Sequence, residues 1–506
     1  MTPTISVESI LPELQNIIAE YIFPKLYLDR SPLFRLGICL RSCNTTYRNT
    51  FTRIIKSEIK NNNMMIRVQG KKSEDGLYLI FGAENGIFNN IEHADLTRVK
   101  FASNLLRLLP STLKTLHLEK MNFVSLDEVH HISHLVNLTS LGVDGCSIGD
   151  GTFLRALAAL PSIENLANLR LQNDPFAGDV VAELVMIERF SKLSFLDLSH
   201  NHIRCEHIQQ LAPSPYMGRL TSLNLSFNGI GNESMTLIAK SPYFGNLTQL
   251  ILDFNRGIGD EGIIELTRSS YLRQLTKLGL VETDITAYGL MSILESEYLS
   301  NLSILDVSCT DLDRCDFVNL RGRPPLISSV TYLDLSSASG YEFLPILVES
   351  PLITNVSILR LSGTNMMLNH FEALARSPHV RNITNIKIND SEVSNDWLEV
   401  LADSSNFSKL TTLDLSDNHI QDQGVRFLSQ SPYLSNLVSL NLSGNCITNG
   451  GALALAKTKY LSQLRNLDLS NNEIDCRGLQ VLRQYKLLHR CGNLEMELEN
   501  QKLWLL

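Results

Sequence analysis

Apolar residues return along the chain at a nearly constant interval. The segments Leu193–Ile203, Leu220–Ile230 and Leu437–Ile447 share one form, LxxLxLxxNxI. Taking the second apolar position as a marker, the copies stand at Leu116, Leu141, Leu169, Leu196, Leu223, Leu250, Leu278, Leu305, Leu333, Leu359, Ile386, Leu413, Leu440 and Leu467, 25 to 28 residues apart and most often 27. A period of this length signals a stack of like units. Within each unit the LxL alternation has the period of a short strand that turns both leucines inward. The ninth position is Asn in the clearest copies, and its amide can satisfy backbone groups that a turn leaves unpaired. The second half reads as a helix. Ile258-Gly-Asp-Glu-Gly-Ile263-Ile-Glu-Leu266 and Ile420-Gln-Asp-Gln-Gly-Val425-Arg-Phe-Leu428 line apolar residues on one face, and Asp in the first turn complements the helix dipole. Ser241-Pro242-Tyr243 and Ser431-Pro432-Tyr433 then stop the helix.

One strand and one helix per unit, with all strands parallel, predict an α/β solenoid. Over residues 101–485 the pattern resembles the leucine-rich repeats of the ribonuclease-inhibitor type. That resemblance implies a leucine-rich-repeat horseshoe of about 14–16 strand–helix repeats with atypical ends. A weak first copy is expected at Ala94–Leu96 and a last one at Leu494–Leu498, inside a C-terminal cap of residues 486–506. Cys146, Asp174, Thr283, Thr310, Ala338, Thr364 and Ser391 replace the ninth-position Asn. Ala338 has no side-chain hydrogen bond to offer, and Arg321-Gly-Arg323-Pro324-Pro325 interrupts a helical slot, so irregularity is expected over 310–345.

Residues 1–60 carry no LxxLxL. Their periodicity predicts a small all-helical module: one helix opening at Pro12, a second over Leu33–Asn44 and a third after it. The order Leu11, Pro12, Leu14, Ile17, Ile18, Tyr21, then Leu36, Cys39, Arg41 and Tyr47 resembles an F-box. The spacing from Pro12 to Leu14 is one residue shorter than usual in that motif, and Tyr47 stands at its late Trp. The resemblance implies docking to the adaptor subunit of Skp–cullin ubiquitin ligases through Leu11, Pro12, Leu14, Ile17 and Ile18. An amphipathic cap over the first strand would call for the same residue types. Residues 61–100 read as a connecting region with a degenerate first repeat.

Charge and chemistry narrow the function. The net charge is −9, which argues against a whole-surface nucleic-acid binder. No apolar run is long enough to span a bilayer, and Met1–Phe23 lacks the basic start of a secretory signal. Nine scattered cysteines without a CxxC pair, and sequons inside expected strands such as Asn224-Leu-Ser226, fit a reducing cytosol. No GxGxxG, P-loop, HExxH or GxSxG occurs. His130, His131 and His134 lack nearby carboxylate or thiol partners and read as a solvated cluster, and Cys39 and Cys43 read as packing. The expectation is a non-enzymatic protein without cofactor, metal or small-molecule substrate, whose partners are proteins.

On a solenoid such a partner meets the concave strand face. Apolar residues at outward positions cluster in repeats 196–359: Phe195, Ile304, Tyr332 and Ile358 at the third position, Ile251 at the fifth, Val281 at the seventh, and Phe227 and Phe254 at the eighth. Asp197, Asp253, Asp306 and Asp334 flank them. Phe227 and Phe254 could instead fold back as core. The uniform Ser-Pro-Tyr-Leu-x-Asn-Leu phrasing is similar to that of leucine-rich-repeat effectors which intracellular bacterial pathogens deliver into host cells, some with F-box-like segments. That implies a substrate-recognition adaptor in the host cytosol. The alternative is a repeat scaffold that masks its partner with no ligase link.

Overall fold

The computed structural model describes residues 92–97, 106–107, 109–120, 126–146, 152–173, 177–312, 328–339, 341–364 and 366–484, with separate strands at 35–37, 65–69 and 493–495. The chain divides into two units, Met1–Asn228 with Pro242–Asn246, and Gly229–Ser241 with Leu247–Leu506. The described strands of the first run from Arg35–Gly37 to Ser222–Asn224, and those of the second from Gln249–Ile251 to Asn493–Glu495. Within each unit, successive strands pair in parallel, and described helices or 3-10 turns lie between most of them from Thr115–Glu119 on. Each unit is a leucine-rich-repeat α/β solenoid.

The register follows the sequence markers. Leu141 pairs with Leu169, Leu305 with Leu333 and Leu413 with Leu440, and the weak copies enter as Ala94 beside Leu116 and Leu494 beside Leu467. Leu196, Leu250 and Leu413 are fully buried, and each such leucine stabilises its unit by about 1.5–3 kcal/mol relative to exposure.

The amino-terminal part differs from expectation. Arg35–Gly37, placed within a helix by its periodicity, is a strand paired to Met65–Gln69, which in turn pairs with His93–Thr97. Two strands thus precede the weak first copy, inside segments read as helical module and connector. Extending a parallel ladder requires backbone donors and acceptors in register, and the consensus leucines and asparagine are dispensable for it. Leu11, Pro12, Leu14, Ile17, Ile18, Cys39, Cys43 and the segment 321–325 lie outside the described residues.

The turn after each strand has one conformation. Every eighth-position residue, from Lys120 and Gly145 to Gly444 and Asn471, has φ between 52° and 66°. This left-handed region favours Gly, Asn and Asp and strains bulky side chains. The ninth-position Asn then ties repeats together. Asn418 Nδ2 donates to the Ile388 carbonyl of the preceding repeat (2.8 Å), and its Oδ1 accepts from the Ser391 and Val393 amides (both 3.0 Å). Asn445 and Asn472 repeat the pattern.

At two of the replaced positions the tie shortens, whereas Cys146 and Ser391 still reach the Leu118 and Leu361 carbonyls of the preceding repeat. Thr283 and Thr310 reach only the carbonyls of Leu280 and Val307 in their own repeats (2.7 Å each). At Ala338 the missing bond is supplied from elsewhere. The buried Tyr341 donates its hydroxyl to the Leu335 carbonyl (2.9 Å), the equivalent acceptor three residues before position nine. The tyrosine hydroxyl thus takes over the own-repeat bond that asparagine makes to the equivalent carbonyl, as Asn418 does to Leu415.

Candidate interaction surfaces

In the second unit, strand register sorts the outward side chains into rows. Ile304, Tyr332 and Ile358 follow one another at the third position, where Ile304 is 37% exposed and the other two are half-buried. At the fifth position Ile251, Gly279, Asp306, Asp334 and Arg360 follow one another. Tyr332 is bound into the charged row: its hydroxyl donates to Asp334 Oδ2 (3.1 Å), and the Arg360 guanidinium lies 5.5 Å from its ring centre and 3.6 Å from Asp334. Burial, with Asp334 beside it, pushes the Tyr332 hydroxyl up to about 12, so it stays a donor.

The aspartates are partly occupied. Asp306 Oδ1 accepts from the Ser308 amide and hydroxyl (3.1 and 2.7 Å), and Asp334 Oδ1 from the Ser336 amide (3.0 Å). This Asp-x-Ser bond explains why that filler recurs: the carboxylate closes the turn that follows its strand. Asp253, at a seventh position, accepts instead from the Val281 amide of the next repeat (3.0 Å). Burial pushes Asp253 up to about 6 and raises Asp306 as well. The second unit therefore presents an apolar row beside carboxylates, two of which, Asp253 and Asp306, burial makes less acidic than usual. Val281 and Ile251 are half-buried beside them.

Phe254 is 38% exposed on the edge of this unit, with φ 57°. In the first unit Phe227 is 41% exposed, with φ 54°, and stacks on His200 at 4.0 Å. Neither ring has folded back into the core. An aromatic residue in the left-handed region costs about 1–2 kcal/mol. Phe195 lies half-buried between Asn168 and Ser222 in register, away from any apolar neighbour in its row.

The first unit also holds a charge ladder that pattern reading missed. His117 Nε2 lies 2.7 Å from Asp144 and its Nδ1 3.5 Å from Asp95, while Arg170 Nε lies 3.1 Å from Asp144 and 3.8 Å from Asp197. Gln172 donates to Asp197 (2.8 Å). Gly142 makes room, since a Cβ there would stand 2.6 Å from His117 Cδ2. The signal was the alternation of Asp95, His117, Asp144, Arg170 and Asp197 at repeat spacing, legible only once positions five and seven are known to be adjacent across strands. Of the histidine cluster, His131 bonds Arg107 and His134 bonds the Leu109 carbonyl.

Hydrogen bonding to Asp144, then to Asp95, lifts His117 from 6.5 to about 9. The folded-state value lies above the ordinary one, so this stabilisation is complete below about pH 6.5 and is lost as pH rises through about 9. With the side chain 27% exposed, it amounts to about 1–2 kcal/mol after solvent screening. Urea unfolding at pH 6 and at pH 9.5 should show that loss in the native chain and little of it in His117→Gln. Identical pH dependence in both would refute the ladder's contribution.

Among the described residues, no helix is long and apolar enough to cross a membrane. The Leucine Rich repeat family matches residues 220–239, 246–266, 408–429 and 433–456. Three solved structures are similar. An internalin from Listeria monocytogenes is 20% identical, with 75% of this chain and 90% of that one covered and a TM-score of 0.42. TLR13 in complex with single-stranded RNA is 15% identical, with 86% and 67% covered and a TM-score of 0.45. The functional domain of InlJ from Listeria monocytogenes, which includes a cysteine ladder, is 16% identical, with 73% and 71% covered and a TM-score of 0.36. A search of curated proteins found no match.

Proposed function

We propose that the protein is a non-enzymatic scaffold whose strand face captures a partner protein, and that residues 1–60 couple that partner to a Skp–cullin ubiquitin ligase. The observation that carries the capture role is the contiguous row Ile304–Tyr332–Ile358 beside Asp306 and Asp334 in the second unit. Interface hot spots combine an aromatic anchor with a polar rim in this way, and an exposed isoleucine beside a tyrosine is surface that folding leaves uncovered. Ile251, Asp253, Phe254, Val281 and Ile358 extend the contact within that unit. Phe195, Asp197 and Phe227 offer contacts in the first unit. The ligase role rests on the F-box-like order of Leu11, Pro12, Leu14, Ile17 and Ile18. Such an adaptor acts by effective concentration, holding its target near the ubiquitin-carrying subunit. The Ser-Pro-Tyr-Leu-x-Asn-Leu phrasing, similar to that of leucine-rich-repeat effectors of intracellular bacterial pathogens, supports a site of action in a host cytosol.

The test is direct binding of the purified full chain to a Skp-type adaptor subunit, beside a Leu11→Ala/Leu14→Ala/Ile17→Ala variant. Binding in the micromolar range or tighter, abolished in a variant whose circular dichroism is unchanged, is the expected result. A folded native chain that does not bind would end the ligase reading and leave a scaffold that masks its partner through the strand face.

A further inference from the structure

The phrase Ser-Pro-Tyr-Leu-x-Asn-Leu gives every defined residue but one a duty in the stack. The Ser431 hydroxyl donates to the Ala402 carbonyl of the preceding repeat (2.6 Å), and the Asn436 amide to the Ser408 carbonyl (2.8 Å). Pro432 opens the 3-10 turn Pro432–Leu434, and Leu434 and Leu437 are fully buried. Tyr433 remains 38% exposed. One repeat later Thr458 donates to the Ser429 carbonyl (2.8 Å), Leu461 and Leu464 are buried, and Tyr460 is 41% exposed. Tyr271 stands out at the same place, 44% exposed. Three exposed tyrosines at one position of the repeat are a surface feature that packing does not require.

Tyr460 lines an open groove of about 570 Å³ between the helices Asp422–Gln430 and Asn449–Lys457. Leu453 and Ala454 contribute apolar surface to it, and Arg426, Lys457 and Lys459 contribute positive charge. Among the described residues that line it none is acidic, in a chain whose net charge is −9. Arg426 and Lys459 are exposed, and among the described residues neither forms an ion pair. A concentration of cations against the sign of the whole molecule favours an anionic partner, and a small-residue surface edged by a tyrosine ring accepts an apolar side chain.

We propose that this groove docks an acidic peptide segment of a partner protein, with carboxylates on Arg426 and Lys459 and an apolar side chain seated on Leu453 and Ala454 against Tyr460. The site lies in the helix layer and is separate from the strand face, so it stands or falls independently of the function proposed above.

Fluorescence anisotropy with the full chain tests it, using a labelled short peptide of alternating Glu and Leu, its Gln counterpart, and a short single-stranded DNA. The acidic peptide should bind, and binding should weaken as salt is raised. Arg426→Glu with Lys459→Glu should weaken it about tenfold, as for loss of two solvent-facing ion pairs and their replacement by repulsion. Tyr460→Ala should weaken it by a few-fold. Lys387→Glu, on the strand face, should leave it unchanged. Circular dichroism checks that each variant is folded. The proposal is overturned if the folded native chain does not bind the acidic peptide, if the Gln peptide binds equally, if the groove variants bind like the native chain, or if the DNA binds more tightly with the same sensitivity to those variants.

Discussion

Asn418→Ala should lower the stability of the second unit by about 3–4 kcal/mol, although it removes only an amide group. The side chain is 4% exposed and makes hydrogen bonds in two directions. Its Nδ2 donates to the carbonyls of Ile388, Leu415 and Ser416 (2.8, 3.0 and 3.0 Å), and its Oδ1 holds the amides of Ser391 and Val393. Alanine would leave those two amides and the Ile388 carbonyl without this partner. A buried polar group that loses its partner costs about 1–3 kcal/mol, and neighbouring losses overlap, hence a total below the simple sum. Thr283→Ala, at the equivalent position, should cost about 1 kcal/mol, because Thr283 serves only its own repeat through the Leu280 carbonyl. Urea unfolding of both variants, with hydrogen exchange at Ser391 and Val393, measures the contrast. Equal destabilisation by the two substitutions would show that the Asn ladder does not couple repeats.

The second large effect is an inversion of sign. Gly289 is the third residue of the helix Ala287–Leu294, a place where alanine ordinarily gains about 1 kcal/mol over glycine. Here Gly289→Ala should destabilise by about 2 kcal/mol. The position a Cβ would take is occupied by Asp260 Oδ1 of the preceding repeat. That carboxylate accepts from the amides of Thr286 and Gly289 (2.8 and 3.0 Å) and from the Thr286 hydroxyl (2.7 Å), capping a helix other than its own. Asp260→Ala alone should cost about 1–2 kcal/mol. In the Asp260→Ala background the methyl meets no carboxylate, so Gly289→Ala should then be neutral or stabilising. A double-mutant cycle by urea unfolding reads this directly, and additive effects would exclude the cross-repeat cap.

The same device recurs. Asn232 accepts from the Gly259 amide (2.7 Å), Asn395 from Gln421 and Gly424 (3.0 and 2.9 Å), and Asp422 from the Thr448 amide and hydroxyl (2.8 and 2.6 Å). It corrects one reading of the sequence. Asp260 and Asp422 stand in the first turn of a helix, where a favourable dipole interaction accounts for them locally. Their hydrogen bonds go to the next repeat, and the Gly two residues after each leaves space for the carboxylate or amide of the repeat before. Local pattern supplies residue and position, but the partner lies 26 to 29 residues away and becomes visible only with the register.

Strand existence and register were legible for a related reason. A period near 27 with LxL at its start leaves one way to bury both leucines, and a one-residue slip would turn them outward. The strand Arg35–Gly37 was not legible, because three residues paired through backbone atoms carry no apolar signature of their own. Tyr341 escaped similarly. The sequence shows that Ala338 lacks a hydrogen bond, and the buried tyrosine hydroxyl that supplies one follows no repeat rule.

Of the proposed interaction surface, Ile304, Tyr332 and Ile358 could be named from their places in the repeat, and parallel pairing makes them one row. The fate of Phe227 and Phe254 could not, since an eighth-position ring can face either way and the left-handed turn decides it. By itself the sequence determined the strand–helix repeat, the inward leucines and the turn asparagines, because these depend on periods that each copy restates. Only the tertiary structure decided which side chains meet across repeats: the His117 ladder, the caps from Asp260 and Asp422, and the cationic groove beside Tyr460. Those contacts depend on distances between strands and helices that are remote along the chain, and no local period encodes them.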